Sequence, residues 1–210
     1  MEWERIPLGV YETNCYFVSN SQKECLIFDP GSEGNKVIDF IGKKGLKPVA
    51  IMLTHAHLDH IGAVDEVRDK YQIPVYIHKN EQEWLTNPAL NGSLHFVYGP
   101  IKARPAEFTI SAEGKMTVGN FTFEVYETPG HSPGSLSFYF KEDGFVVSGD
   151  ALFFGSIGRT DLPGGNYEQL LKSISDKLLV LPEDTKVLPG HGPITTVGME
   201  MNSNPFLHGF

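Results

Sequence analysis

The stretch that most constrains this chain of 210 residues is an apolar run at 49–53 (VAIML), followed at once by Thr54-His55-Ala56-His57-Leu58-Asp59-His60. An uninterrupted apolar run of this kind is the pattern of a strand buried on both faces. The fold must therefore contain a sheet covered on both sides, with the polar cluster at the carboxyl end of one strand. Extended backbone alternates faces, so His55 and His57 project to one side. A turn into a helix beginning near Ile61 aims Asp59 and His60 at a neighbouring point. That spacing suits two adjacent metal ions, and imidazole with carboxylate but no thiolate suits Zn²⁺, Fe or Mn.

The pattern around this strand alternates. Residues 13–18 (TNCYFV) and 24–28 (ECLIF), separated by a polar turn, predict a hairpin. Val37, Ile38, Phe40 and Ile41 share one helical face, with Gly42 to Gly45 as the stop. Ile61, Val64, Val67 and Tyr71 predict a second helix, and residues 74–77 (PVYI) another strand. This order makes crossover units with helices packed on a sheet. Residues 86–105 are interrupted by Pro88, Gly92, Gly99, Pro100 and Pro105. With Phe96 and Tyr98, they read equally as a covering loop or as a surface excursion with its own apolar cluster. From Thr117 the chain is β-rich again, at 121–126, 136–140 and 145–147; a helix at 167–181 and a short strand at 186–188 follow. One compact domain over 1–210, with the β-rich and helix-bearing blocks occurring twice, is the economical reading.

Composition narrows the partners. The 26 acidic residues outnumber the 17 basic ones for a net charge of −9, and no Lys/Arg block offsets them. That argues against a nucleic-acid partner. No apolar run approaches the ~20 residues of a membrane span. The first residues lack the basic segment and apolar core of a secretory signal, so the expected location is the cytoplasm. Cys15 and Cys25 are too few for a disulfide scaffold and are expected as buried thiols. The oligomeric state is left open.

Two metal ions need more ligands than the first cluster supplies. His131 sits in Thr128-Pro129-Gly130-His131-Ser132-Pro133-Gly134, Asp150 in Ser148-Gly149-Asp150, and His191 in Pro189-Gly190-His191-Gly192-Pro193. Each follows a predicted strand, in a turn whose glycines allow close backbone approach. His78, His95 and His208 read as structural or solvated.

Together, His55, His57, Asp59 and His60 with His131, Asp150 and His191 resemble the signature of the metallo-β-lactamase superfamily, His-x-His-x-Asp-His followed by His, Asp and His. Ser148-Gly149-Asp150-Ala151-Leu152-Phe153 and Gly158-Arg159-Thr160-Asp161-Leu162-Pro163-Gly164-Gly165 resemble its small, single-domain glyoxalase II-like members. The resemblance implies an α+β fold, a four-layer αββα sandwich with the metals at one edge of the two sheets. It implies one ion on His55, His57 and His131, a second on Asp59, His60 and His191, and Asp150 bridging both. Zinc is the expected metal, with iron or manganese as alternatives. Two ions sharing a water create hydroxide at neutral pH, which Asp59 and Asp150 orient. The implied reaction is hydrolysis of a small-molecule thioester such as an S-acyl glutathione, with Arg159, Asp161 and Tyr167 as candidate substrate contacts.

Departures from related patterns sharpen this. Known β-lactamases of the superfamily use other second-metal ligands and generally lack a bridging residue like Asp150, so antibiotic hydrolysis is not expected as the main task. Flavodiiron proteins place Glu where His57 stands, and superfamily nucleases usually carry an extra domain or arm. Full-length glyoxalase II continues into a helical region that grips glutathione, whereas this sequence stops at Phe210, and Asp161 stands where an aromatic is expected. Whether glutathione is part of the substrate is therefore left open. Arg159 and Asp161 can instead pair with each other. The functions to be separated from thioester hydrolysis are a mononuclear iron persulfide dioxygenase, a lactone or ester hydrolase, and a metal-binding module without turnover.

Overall fold

Parallel strand pairs need crossover connections, and that requirement organises the first of two units into which the computed structural model divides. This unit comprises residues 1–111 and 117–121. Residues 1–207 are described, so His208 lies outside the described residues. Strands β1 (Glu2–Leu8), β2 (Thr13–Ser19), β3 (Glu24–Phe28), β4 (Lys47–Met52), β5 (Val75–His78) and β6 (Phe108–Ile110) lie side by side in chain order. The first three pair antiparallel and the rest parallel. Helix α1 (Gly34–Lys44) crosses from β3 to β4; α2 (Leu58–Ile61) and α3 (Val64–Tyr71) cross from β4 to β5. Phe17, Ile27, Ile51 and Val75 pack with Val37, Ile41, Val64 and Val67 of the helices. The alternate strand residues Tyr16, Leu26, Phe28 and Met52 are buried as well, which is why these runs read as continuously apolar.

The second unit comprises residues 112–116 and the chain from Thr122 onward. Its sheet contains β7 (Gly114–Val118), β8 (Phe121–Glu127), β9 (Leu136–Phe140), β10 (Phe145–Gly149), β13 (Lys186–Pro189) and β14 (Thr195–Thr196), in the order β14-β13-β10-β9-β8-β7. A small hairpin of β11 (Leu152–Phe153) and β12 (Ser156–Ile157) follows β10. Helix α4 (Tyr167–Ser173) and helix α5 (Val197–Ser203) complete the elements. Val146 and Val187 pack under Leu170, Ile174, Leu178 and Val197, and Leu207 docks on the same cluster. Two mixed sheets with separate helices make the class α+β, as expected.

Several local expectations are corrected. The edge strand β1 was not visible, because its exposed and half-buried residues give no apolar run. The helix expected from Ile61 to Tyr71 is broken, because the Gly62 and Ala63 amides donate to the carbonyls of Gly31 and Pro30 instead of continuing the helix. The helix expected at 167–181 turns π-helical at Ile174–Leu178, where the Leu179 amide reaches back to the Ile174 carbonyl. Strand β14 and helix α5 follow the strand expected to be last. His55 and His57 lie beyond the end of β4, and His57 has extended backbone ahead of α2.

No helix among the described residues is long and apolar enough to cross a membrane. Cys15 and Cys25 are free and fully buried. Burial pushes the Cys25 thiol up to about 12 and raises Cys15 as well. Neither thiol should react with iodoacetamide at pH 8 in the native protein, and both should react in denaturant; mass spectrometry of labelled protein checks this.

Candidate metal centre

Strands β3 and β4 run parallel with Phe28 opposite Met52, so Asp29 and Thr54 leave the sheet together. The buried Asp29 carboxylate accepts from the Thr54 amide at 2.8 Å, from Thr54 Oγ1 at 2.6 Å and from His60 Nδ1 at 3.0 Å. Thr54 spends its hydroxyl hydrogen on Asp29, so at 3.1 Å it can only accept from His55 Nδ1. Both histidines therefore carry hydrogen on Nδ1 and present an Nε2 lone pair. The Ala56 amide, between His55 and His57, donates to the buried Glu81 carboxylate at 2.6 Å. Asp59 Oδ2 accepts from Thr13 Oγ1 at 2.9 Å. Gly31 permits this packing, because a Cβ there would meet the Asp59 carbonyl at 1.6 Å.

These contacts draw the first cluster together. Donor atoms of His55 and His57, of His55 and His60, and of Asp59 and His60 lie within 4.8 Å of one another. The second unit gathers the other three expected ligands. The Asp150 carboxylate places Oδ2 3.5 Å from His131 Nε2 and 3.5 Å from His191 Nε2. His131 donates from Nδ1 to the Arg159 carbonyl at 2.8 Å; a carbonyl only accepts, so this ring too presents an Nε2 lone pair. Gly158 allows the turn to close, since a Cβ there would meet the Asp150 carbonyl at 1.9 Å.

The donor chemistry fits a metal. His60 Nε2 faces Asp59 Oδ2 at 3.5 Å, and His131 Nε2 faces Asp150 Oδ2 at the same distance. Each is an acceptor against an acceptor, a repulsive pair unless a proton or a cation lies between. Protonating every ring is unfavourable in the first cluster, where the His55 ring centroid is 4.0 Å from His60 and 4.8 Å from His57, because buried like charges repel. Divalent metal satisfies all of these atoms at once. The Nδ1 contacts to Asp29 and to the Arg159 carbonyl are of the kind that orient a metal-binding imidazole.

The candidate substrate residues fall differently. Arg159 and Asp161 form a two-pronged ion pair at 2.7 Å on each arm, and both are exposed. Tyr167, half exposed, opens α4. His78 accepts from the Asn80 amide and His95 is exposed, both outside the clusters. Sequence reasoning missed Asp29, Thr13 and Glu81. Asp29 lies just past the end of β3, and the signal available was an acid at the same register as the Thr-His motif on a parallel neighbour.

Residues 8–191 match the sequence profile of the Metallo-beta-lactamase superfamily. The chain belongs to that superfamily, and its fold is the metallo-β-lactamase fold. The probable metallo-hydrolase YqgX of Bacillus subtilis (strain 168) is 55% identical over 210 residues, covering 100% of this chain and 99% of that protein. The hydroxyacylglutathione hydrolase GloC of Haemophilus influenzae is 35% identical over 209 residues, 99% of each chain. The crystal structure of BLEG-1 B3 metallo-beta-lactamase is 53% identical, with a TM-score of 0.97 over 99% of this chain and 100% of that one.

Two outcomes follow from the geometry. Replacing Asp29 by Ala frees the His60 ring and should weaken metal binding about 10- to 100-fold, measured by competition with a chelator. The Arg159 guanidinium holds the Asp161 carboxyl down to about 2. The pair's contribution to stability is therefore present above the ~3.9 of an unfolded Asp and is lost as pH falls through the folded value. Arg159→Ala should move the Asp161 carboxyl signal in an NMR titration upward toward ~3.9.

Proposed function

We propose that the two clusters close on one pair of divalent metal ions, that the two units act as one catalytic domain over 1–210, and that this domain hydrolyses small-molecule thioesters. The observation that carries the reading is Asp150 Oδ2, equidistant at 3.5 Å from His131 and His191, as a carboxylate shared between two ions requires. His55, His57 and His131 would hold one ion, Asp59, His60 and His191 the other, with Asp150 shared between them. Divalent ions held by these residues would supply an activated water at neutral pH and Lewis-acid polarisation of a carbonyl. Zinc is the metal we assign, because a thiolate leaving group is a ligand it accepts well.

The chain's own residues do the positioning. Asp29 and the Arg159 carbonyl hold the His60 and His131 rings by their Nδ1 hydrogens. Thr13 occupies Asp59 Oδ2, which fixes that carboxylate against rotation. Asp59 and Asp150 would offset the charge of bound metal and orient the attacking water. Neither cysteine serves as a nucleophile, because burial holds both thiols protonated at neutral pH. Arg159, Asp161 and Tyr167 are assigned to the polar, thiol-bearing limb of the substrate, for which their exposure suits them.

The likeness to GloC supports thioester chemistry. A persulfide dioxygenase would need only one iron on two His and an Asp, and leaves Asp59, His60 and His191 without a task. The likeness to BLEG-1 favours β-lactam hydrolysis as a second reading, since hydroxide attacks either carbonyl. Elemental analysis should find about two metal ions per chain. S-lactoylglutathione and other thioesters should be turned over with kcat/KM at least tenfold above a lactone and a cephalosporin. Asp150→Ala should lose metal and at least about 100-fold in activity together. Full thioesterase activity in metal-depleted Asp150→Ala protein, or one iron per chain with oxygen uptake, would overturn the reading.

A further inference from the structure

Beside Asp59 the first unit contains an apolar pocket of about 230 Å³ that the metal chemistry does not use. Its walls come from three places. Leu8 comes from the end of β1, Val10 and Tyr11 from the β1–β2 turn, Leu58 from the start of α2, and Phe96, Tyr98 and Ile101 from the irregular segment after β5. Leu58 lies between the metal-capable His57 and Asp59, so apolar wall and reactive cluster share one turn of chain. Tyr11 stacks on Phe96 with ring centroids 5.9 Å apart, and Phe96 meets Tyr98 edge-on at 5.4 Å. These rings tie the irregular segment to the first hairpin, yet Tyr98 remains 75% and Val10 64% exposed. Exposed aromatic and aliphatic side chains grouped around a cavity mark a surface kept for a ligand.

We infer that this pocket seats the acyl limb of the substrate, and that the limb is an apolar aliphatic or aryl chain of several carbons. This rests on the thioester reading above and adds the substrate class. A thioester has two limbs. A charged, peptide-like thiol limb would be desolvated against Leu8, Val10, Leu58 and Ile101 without hydrogen-bond partners to replace water. Among the described residues, the polar side-chain groups in the lining apart from the Asp59 carboxylate are the Ser32 hydroxyl and the two tyrosine hydroxyls. An alkyl or aryl acyl group loses nothing there and gains burial. Its carbonyl, one bond from the chain, then lies on the Asp59 side of the pocket, where the reaction occurs. The segment after β5 thus serves as a selective wall for the substrate.

The test is a series of acetyl, butyryl and hexanoyl thioesters of one small thiol, assayed with metal-loaded protein. kcat/KM should rise about threefold to fourfold per methylene at first, as burial of a CH₂ group predicts. In Tyr11→Ala and Phe96→Ala the hexanoyl-to-acetyl ratio should fall toward one, and Phe96→Leu should restore most of it. Binding gives a readout independent of turnover: hexanoate, but not acetate, should shift the Tyr11 and Tyr98 ring signals in NMR spectra. No turnover of any thioester, with hexanoate still shifting those rings, sinks the thioester reading and keeps the apolar site. Turnover that ignores acyl length, or that follows the length of the thiol instead, overturns the inference, as does hexanoate leaving the rings unmoved.

Discussion

A buried carboxylate costs several kcal/mol unless its oxygens are hydrogen-bonded, and the first cluster is arranged around one that is. Asp29 takes three hydrogens, two from Thr54 and one from His60. It can do so only because β3 and β4 are parallel and end in register, which puts its side chain beside the first residues of the neighbouring loop. The hydrogen-bond chain from Asp29 through Thr54 to His55 then decides which nitrogen of each ring carries its hydrogen. A polar network closed in this way has one low-energy arrangement, and the imidazole lone pairs are set before any ligand arrives.

The second unit reaches the same end with a neutral acceptor. There the Arg159 carbonyl takes the His131 hydrogen, and the close turn at Gly158 brings that carbonyl within reach. The Arg159 side chain points elsewhere, to Asp161 on the surface. A residue singled out for its charge thus orders the site through its backbone. Both units leave a ring nitrogen facing a carboxylate oxygen across a gap that only a positive charge makes favourable. The ordering is done by the fold, so metal binding is not charged with the entropy of assembling its ligands.

The metal-capable side chains and the adjacent apolar pocket lie on different kinds of chain segment. The metal-capable side chains lie in short turns directly after strands, where neighbouring strands fix the backbone. The apolar side chains around the adjacent pocket lie on a hairpin turn and a long irregular segment, which can change without disturbing the sheet. Leu58 joins the two, since the first turn of α2 that carries Asp59 also carries it.

How much of this was legible beforehand differs by residue. All seven metal-capable residues stood out, because imidazole and carboxylate side chains after apolar runs and inside glycine turns have few structural explanations. The strands β2 to β5 and helix α1 were equally readable, since burial on two faces or on one helical face leaves a period in the chain. Edge strand β1 was not, because its exposed and half-buried residues leave no apolar period; the break at Gly62 and the π turn after Ser173 were not, because they depend on segments distant in sequence, the carbonyls of Pro30 and Gly31 and the sheet residues packed against Ile174 and Leu178. Glu81 and Thr13 were invisible for the same reason. The sequence by itself determined which side chains can bind metal and which strands carry them, because residue chemistry and hydrophobic period are local properties. Only the tertiary structure decided which ring nitrogen faces inward and where apolar surface meets the reactive turn, because those depend on hydrogen bonds and contacts between segments tens of residues apart.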